Sequence, residues 1–224
     1  MQKVFSIAID GPAGAGKSTV AKALARELGA MYLDTGAMYR AFGLAMLRAG
    51  VGLEDHAAIA ARANDVNVAV DYVDGAQRIL LEGEDVSRAI REPAVSEAAS
   101  ATSAVPEVRH RMVALQRRIA EGHSVIMDGR DIGTAVLPNA TLKIFLTASA
   151  AVRARRRCDE LQQKGMPEPY EKVLREMEER DWRDTHRTAS PLRPADDAVT
   201  VDTSDMDEAQ VIETLKRMAL EVIQ

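Results

Sequence analysis

The chain has 224 residues, of which 46% are hydrophobic and 28% charged, and its formal net charge at pH 7 is −5. This length supports one substantial core with a small appended lobe and excludes several independent domains. The negative charge argues against a non-specific nucleic-acid binder, because such proteins need a basic surface to displace counterions. The single cysteine, Cys158, allows neither an internal disulfide nor a thiolate metal site, which is typical of a protein of the reducing cytoplasm.

The first apolar run, residues 4–9, predicts a buried strand. It is too short for a membrane span or the core of a signal peptide, and no later run qualifies, so we expect no membrane partner. A helix follows the strand, because Val20, Leu24 and Leu28 recur at four-residue spacing before Gly29.

The segment between this strand and this helix has the spacing of a Walker A loop. In such a loop the backbone N–H groups turn inward on phosphates, Lys17 would reach the β and γ oxygens, and Ser18 would ligate magnesium. The alternative is a glycine-rich turn before an ordinary helix. The residues predicted to bind ATP are Gly11, Pro12, Ala13, Gly14, Ala15, Gly16, Lys17, Ser18 and Thr19.

A second short strand is predicted at residues 31–33, after which Thr35 can cap a helix that runs to Gly50. The segment from Asp34 to Arg40 therefore lies where a strand ends and a helix begins. Ligands bind at such places in open α/β sheets. This segment is the first of three candidates for binding a phosphate acceptor.

Residues 67–86 have a different pattern, because Val68, Val70 and Tyr72 alternate with polar residues up to an Asp-Gly turn. Alternation on both sides of Asp-Gly predicts an antiparallel hairpin. We therefore expect a small inserted lobe at about residues 62–104, outside the central sheet.

The second candidate segment follows a buried strand predicted at residues 124–127. It places an acid, a base and an acid close together, at Asp128, Arg130 and Asp131. A simple turn would explain Asp128-Gly129, but it does not explain the two charges that follow.

Further buried strands are predicted at residues 142–146 and 199–201. Strands that are apolar throughout and alternate with helices indicate a mainly parallel sheet covered on both faces.

The third candidate segment is a helix predicted from Pro169 onward. Its apolar stripe, Tyr170, Val173, Leu174 and Met177, continues at helical spacing into charged residues. Charges on an inward face must meet each other or a polar ligand, because an unpaired buried charge is costly. The alternative is a helix end that emerges into solvent. The charged residues are Arg180, Asp184 and Arg187.

The kind of P-loop protein follows from length and from missing motifs. A GTPase would need an Asn-Lys-x-Asp element, which does not occur in this chain. Large mechanical ATPases carry a longer chain and an acidic pair at a strand end. A small-molecule kinase fits best, and the fold class expected is an α/β P-loop three-layer fold with a small inserted antiparallel lobe and an arginine-bearing lid.

Four motifs together resemble those of bacterial cytidylate kinases, and the resemblance spans nearly the whole chain. Residues 81–86 are similar to the edge of the extra nucleotide-binding lobe of those enzymes, and Thr35 stands where many members have serine. The motifs are Gly-Pro-Ala-Gly-Ala-Gly-Lys-Ser, Asp-Thr-Gly-Ala-Met-Tyr-Arg, Asp-Gly-Arg-Asp-Ile-Gly-Thr and Glu-Arg-Asp-x-Arg-Asp.

The resemblance implies transfer of the γ-phosphate of ATP to CMP or dCMP, and it assigns substrate-binding residues. Arg40 and Arg130 would hold the acceptor phosphate, which suits bidentate guanidinium groups. An ionised Asp131 would attract the exocyclic amino group of cytosine and repel the corresponding oxygen of uracil. Around the cytosine we expect Thr35, Arg109, Asp131 and Arg187, around the sugar Ser100, Arg180 and Asp184, and Tyr39 within the same site.

The family places a mobile lid at about residues 151–167. Arg153 and Arg157, four apart on one helical face, are the lid candidates for reaching the transferring phosphoryl group, while Arg155 and Arg156 are expected in solvent. Because the acceptor oxygen is already anionic, catalysis needs alignment and positive charge rather than a general base. The catalytic residues predicted are Lys17, Arg130, Arg153 and Arg157.

Magnesium is expected on Ser18, and Asp128 either orients magnesium-bound water or has a local backbone role. We expect one domain over residues 1–224, acting as a cytoplasmic monomer on small nucleotides, without nucleic-acid or membrane partners. Rival interpretations are a dephospho-coenzyme A or shikimate kinase, and a non-catalytic ATP-sensing module that docks an acidic partner.

Overall fold

The structure, a computed structural model, describes residues 4–223. The first half contains β1 (Ser6–Asp10), α1 (Lys17–Leu28), β2 (Met31–Asp34), α2 (Thr35–Arg48), α3 (His56–Ala61), β3 (Val68–Val73), β4 (Ala76–Leu81), β5 (Glu84–Asp85), α4 (Pro93–Thr102) and α5 (Pro106–Ala120). The second half contains β6 (Val125–Gly129), β7 (Leu142–Thr147), α6 (Ala150–Gln163), α7 (Tyr170–His186), β8 (Val199–Asp202) and α8 (Glu208–Ile223).

The described residues form two compact units. The first unit comprises the chain up to Ala30 and from Ser124 onward, and the second comprises Met31–His123. The predicted lobe at residues 62–104 falls within the second unit, and its bounds stay a prediction. Within residues 4–223, no helix is both long and apolar enough to cross a membrane.

The first unit is built on parallel strands in the order β6-β1-β7-β8. Ile7 and Ile9 on β1 are fully buried, and Ile7 lies opposite Ile126 of β6 and Leu142 of β7. Strands that are apolar on both faces need cover on both sides, as the sequence pattern indicated. The predicted α/β class with a mainly parallel sheet is confirmed.

The second unit contains the predicted hairpin. β3 and β4 pair antiparallel from Val68 opposite Leu81 to Val73 opposite Ala76, and β5 adds to the other edge of β4. Asp74 and Gly75 both have positive φ, of 51° and 75°, as a two-residue hairpin turn of type I′ requires. Local alternation around Asp-Gly was therefore sufficient to predict the hairpin, whereas the third strand, β5, was not predicted.

The cap of α2 differs from the prediction. Thr35 is the first helical residue, and Asp34 is the N-cap, with its carboxylate accepting a 2.8 Å hydrogen bond from the amide of Ala37. Asp34 can cap because its backbone is extended, which aims its side chain at the free amides of the first turn. The predicted cap, Thr35, is therefore one residue too late, because the chain is still extended at Asp34.

Gly43 marks a close approach of α2 to α4 and gives a test of the packing. A Cβ at Gly43 would lie 2.7 Å from the amide nitrogen of Ala99 and 3.0 Å from the carbonyl carbon of Ala98. These are backbone atoms, so the helices would have to separate. We expect Gly43→Ala to lower the free energy of unfolding by about 1–3 kcal/mol in urea titrations.

Gly52→Ala is the matched control, because nothing lies within 4 Å of a Cβ at that exposed position. Its effect should stay within about 0.5 kcal/mol of the wild type. A Gly43→Ala variant as stable as the wild type would show that α2 and α4 are not in backbone contact in solution.

Candidate active site

The phosphate loop, residues 11–18, joins β1 to α1 in a conformation that requires glycine. Gly11 has a φ of 148°, and a Cβ there would lie 1.9 Å from the carbonyl oxygen of Leu146. Gly16, the N-cap of α1, has a φ of 84°. A loop of this shape at the start of a twelve-residue helix presents backbone amides to an anion.

Lys17, a residue of this loop, is buried, and its ammonium donates a 2.6 Å hydrogen bond to the carbonyl oxygen of Pro12. Burial and then the neighbouring Arg130 lower the pKa of Lys17 to about 7, against the opposite effect of Asp128 and Asp10. A bound anion would stabilise the charged ammonium, because opposite charge favours the ionised form.

Ser18 and Asp128, the predicted magnesium pair, are in direct contact. The Ser18 hydroxyl donates a 2.7 Å hydrogen bond to Oδ2 of Asp128, a buried residue near the end of β6. Magnesium prefers such oxygen ligands and usually takes one or two carboxylates together with substrate phosphates. Across residues 4–223 no group of three or more His, Cys, Asp or Glu side chains is arranged for a metal, so an all-protein metal cage is absent from that range.

Arg130 and Asp184 form a partly buried ion pair in which Nε of Arg130 donates to Oδ2 of Asp184 at 2.8 Å. Burial would raise the pKa of Asp184, but Arg130 first, and then Arg180 and Arg187, outweigh it and lower that pKa. The charged end of α7 therefore meets other charges, and the interpretation as a helix end in solvent is wrong for Asp184.

Arg187 lies just beyond the helix on which the sequence placed it. α7 ends at His186, and Arg187 is its C-cap with an extended backbone, from which Nε donates to the carbonyl oxygen of Ser190 at 2.6 Å. The prediction extended the helix one residue too far, because the spacing of side chains does not show where the backbone leaves the helix. We call Arg130, Arg180, Asp184 and Arg187 the arginine–aspartate cluster.

Asp131 is buried at the start of a short π-helical segment, Ile132–Val136. The amides of Ile132 and Gly133 both donate to the carboxylate of Asp10, each at 2.7 Å. Sequence reasoning missed Asp10. A signal was available, since Asp10 closes β1 directly before the phosphate loop, at the carboxyl end of a parallel strand.

Arg153, a lid candidate, is buried in contact with the phosphate loop. Its guanidinium donates to the carbonyl oxygens of Ala13 at 3.0 Å and Ala148 at 2.8 Å, and to both carboxylate oxygens of Asp181 at 3.1 and 2.5 Å. Asp181, on α7, was not among the site residues predicted from the sequence. Arg157, the second candidate, is partly exposed and pairs with Glu160 at 2.8 Å.

The expectation that Arg156 lies in solvent is wrong. Arg156 is half-buried and donates to the carbonyl oxygen of Thr203 at 2.6 Å and to the hydroxyl of Thr203 at 3.2 Å. Residues three and four apart share a helical face, so Arg153, Arg156 and Arg157 lie on one side of α6, whereas Arg155 is exposed as expected.

A cavity of about 720 Å³ opens beside the phosphate loop within the first unit. Gly16, Lys17 and Thr19 line it on the loop side, and Arg156 and Arg157 line it from α6. Its far wall comes from the segment after β8 and the start of α8, including Met206 and Val211. The volume is typical of pockets for small-molecule ligands.

The second unit has its own charged centre around Asp34. Oδ2 of Asp34 pairs with Arg40 at 3.0 Å and with Arg91 at 3.5 Å. The side-chain carbonyl oxygen of Gln77, on β4, accepts a 2.7 Å hydrogen bond from the backbone amide of Asp34. Arg91 and Gln77 were not predicted, because they lie 57 and 43 residues along the chain from Asp34.

The remaining predicted substrate residues of the second unit are placed as follows. Arg109 is buried, lies over the ring of Tyr39 at 5.5 Å from its centroid, and donates to the carbonyl oxygen of Ser103. Thr35 is buried at the start of α2, and Ser100 is half-buried on α4. Arg109 and Tyr39 are thus brought together, as one site would require.

Comparison with known proteins gives the same family as the motifs. A family model for cytidylate kinase matches residues 7–221. The cytidylate kinase of Mycobacterium avium (strain 104) is 56% identical over 211 residues, 94% of this chain and 92% of that protein. That of Caldanaerobacter subterraneus subsp. tengcongensis is 53% identical over 92% of this chain and 91% of its own length, and that of Caldicellulosiruptor bescii is 48% identical over 99% and 98%. The chain belongs to the cytidylate kinase family.

Proposed function

We propose that the protein transfers the γ-phosphate of ATP to CMP or dCMP, giving CDP or dCDP as precursors for nucleic-acid synthesis. The observation that carries this proposal is the phosphate loop itself, in which Lys17 is buried with its ammonium 2.6 Å from the carbonyl oxygen of Pro12 and the Ser18 hydroxyl donates to Asp128 at 2.7 Å. Arg130, a cation predicted to bind the acceptor, lies directly after β6, the strand that carries Asp128. Membership of the cytidylate kinase family supplies the identity of the acceptor.

For the donor, the phosphate loop would bind the triphosphate of ATP, and the adjoining cavity of about 720 Å³ would hold its nucleoside. Ser18 and Asp128 fit a magnesium ion, because they place a hydroxyl and a carboxylate oxygen side by side. When bound, the ion would neutralise charge on the donor phosphates. Asp128 would hold the ion's water through its buried carboxylate.

For the acceptor, Arg40 and Arg130 would bind the phosphate of CMP. Both are already oriented by a carboxylate, Asp34 for Arg40 and Asp184 for Arg130. Nε of Arg40 is buried without a hydrogen-bond partner among the described residues, so that donor is available to an anion. Arg109, Arg187, Thr35 and Tyr39 would surround the cytosine, while Ser100, Arg180 and Asp184 would contact the sugar.

The residues would act by alignment and charge. The acceptor oxygen needs no general base, and Lys17 with Arg130 supplies positive charge where it develops in the transition state. Arg153 and Arg157 remain proposed lid cations. The buried contacts of Arg153 with Ala13 and Asp181 support a role beside the phosphate loop. We further propose that the protein is a monomer and that it acts in the cytoplasm, the latter in keeping with the single cysteine.

An acceptor panel with ATP and magnesium tests the proposal. CMP and dCMP should give ADP far faster than UMP, shikimate or dephospho-coenzyme A. Faster phosphorylation of UMP or shikimate would overturn the choice of acceptor. ATP binding without ADP formation from any nucleoside monophosphate would instead favour a non-catalytic ATP-sensing module.

The Asp131→Ala variant tests how the base is recognised. We expect kcat/KM for CMP to fall about 10- to 100-fold, the value of a lost hydrogen bond to a charged group. Use of UMP should stay the same or improve, because the carboxylate that repels the uracil oxygen is gone. ATP affinity, measured by calorimetry, should not change. Asp65→Ala, at an exposed aspartate, is the control, and equal losses of CMP use and ATP affinity in Asp131→Ala would contradict the assignment.

A further inference from the structure

We propose that Asp10 is a positioning residue for base recognition, which holds the peptide backbone that carries Asp131. The inference rests on the proposed role of Asp131 in binding cytosine. Asp10 itself would not touch the nucleotide. Its function would be to keep the Asp131 carboxylate at one fixed place beside the arginine–aspartate cluster.

The contact is bidentate and buried. Oδ1 of Asp10 accepts from the amide of Ile132 and Oδ2 accepts from the amide of Gly133, each at 2.7 Å. Asp10 is 4% exposed and lies on β1 opposite Gly129 of β6. Two hydrogen bonds from successive amides to one carboxylate fix both peptide planes next to Ile132, and bonds to an ionised acceptor are stronger than neutral ones.

The peptide bond between Asp131 and Ile132 is held on both sides. Its N–H donates to Asp10, and its carbonyl oxygen accepts from the amide of Ala135 at 2.8 Å. Rotation of this peptide would break both bonds, and the side chain of Asp131 would move with it. The Asp131 side chain is itself buried, so a displacement cannot be absorbed by free rotation in solvent.

Neighbouring atoms leave little space around the contact. A Cβ at Gly133 would lie 3.3 Å from Oδ2 of Asp10 and 3.2 Å from Cδ of Lys143. Lys143 is buried and paired with Asp197 at 2.8 Å, so its stem is anchored. Glycine at this position allows Asp10 to reach both amides.

Burial of the Asp10 carboxylate lowers the stability of the folded protein, which argues that Asp10 has a function beyond packing. Burial raises the pKa of Asp10 to about 6, although the amides of Gly133 and Ile132 oppose this, and the nearby charge of Asp131 raises it further. An asparagine would avoid the buried charge, but it could accept from only one amide, and its own N–H₂ group would face the other. A carboxylate is the side chain of this size that satisfies both donors.

The experiment is a double-mutant cycle on base discrimination, measured as kcat/KM for CMP divided by kcat/KM for UMP. Asp10→Asn is expected to lower this ratio about tenfold by raising KM for CMP, as a small misplacement of a binding group does, with KM for ATP unchanged. In the Asp131→Ala background, Asp10→Asn should change the ratio less than about twofold, because residues acting through one another are not additive.

Three outcomes would overturn the inference. In the first, Asp10→Asn leaves the ratio unchanged while Asp131→Ala collapses it. In the second, Asp10→Asn shifts the ratio equally in the wild-type and Asp131→Ala backgrounds. In the third, Asp10→Asn raises KM for ATP as much as KM for CMP, which would mean that Asp10 acts on Lys17. An unchanged ratio in Asp131→Ala alone would refute the proposed base contact instead, so the two failures are distinguishable. Gly133→Ala, which presses on the same contact from the other side, should lower the ratio in the same direction and serves if Asp10→Asn does not fold.

Discussion

Replacing Lys17 with methionine is expected to lower kcat by about 10²- to 10³-fold, the effect of removing one preorganised donor from a developing negative charge. Methionine keeps most of the apolar stem but supplies no positive charge to the β and γ phosphates. Affinity for ATP should fall less than kcat, because the backbone amides of the phosphate loop remain. ADP release under saturating substrates and calorimetric ATP titration measure the two effects separately.

The same variant should keep its fold. Burial and then the nearby Arg130 lower the pKa of Lys17, although Asp128 and Asp10 oppose them, so the charge of Lys17 costs stability in the folded protein. We therefore expect the melting temperature of Lys17→Met to be no lower than that of the wild type, while activity is lost. Lys164→Met, at an exposed lysine that pairs with Glu160, is the control for loss of one positive charge. A Lys17→Met enzyme with more than about a tenth of wild-type kcat would contradict the assigned role.

The secondary structure could be predicted because its signals are local. Ile7, Ala8 and Ile9 are consecutive, apolar and fully buried, as expected for a strand covered on both faces. Asp74 and Gly75 have the positive φ angles that the hairpin turn requires. The phosphate loop was likewise contained in eight consecutive residues. In each case, the residues that decide the structure are neighbours in sequence.

The hydrogen bonds of the site could not be predicted in this way. Asp10 accepts from amides 122 and 123 residues away, and Asp181 pairs with Arg153 28 residues earlier. Helical spacing grouped Arg153 with Arg157 on one face, but it could not show that Asp181 would hold one of them or that Thr203 would bury Arg156. Motifs predict which residues bind a ligand, whereas the residues that hold them in place become visible only in the fold.

Arg130→Ala is expected to damage both stability and activity. Asp184 would keep its buried position but lose its 2.8 Å partner, and breaking a buried pair on one side typically costs about 3–5 kcal/mol. Arg180 and Arg187 also act on Asp184, so we expect the lower end of that range in urea unfolding. In activity, loss of the guanidinium that we propose to bind the acceptor phosphate should lower kcat/KM for CMP by at least about 10²-fold.

The loss of stability should depend on pH in a defined direction. In the wild type, Arg130 is the main group that overcomes the effect of burial and lowers the pKa of Asp184. The ionised Asp184 therefore contributes stability above the pKa that it has in the unfolded chain, and this stability is lost as the pH falls through its pKa in the folded protein. Without Arg130, burial favours the protonated form of Asp184, which is less costly to bury than the carboxylate. The difference in unfolding free energy between wild type and Arg130→Ala should therefore be largest near neutral pH and should shrink toward about pH 4.

Adding Asp184→Asn to Arg130→Ala separates the two roles of Arg130. The second substitution removes the unpaired buried charge, so it should recover about 1 kcal/mol or more of the lost stability, since coupled partners are not additive. It should recover none of the lost kcat/KM, because the positive charge that we propose to bind the acceptor phosphate is still missing. Recovery of activity together with stability would mean that Arg130 supports the fold and does not bind the acceptor phosphate.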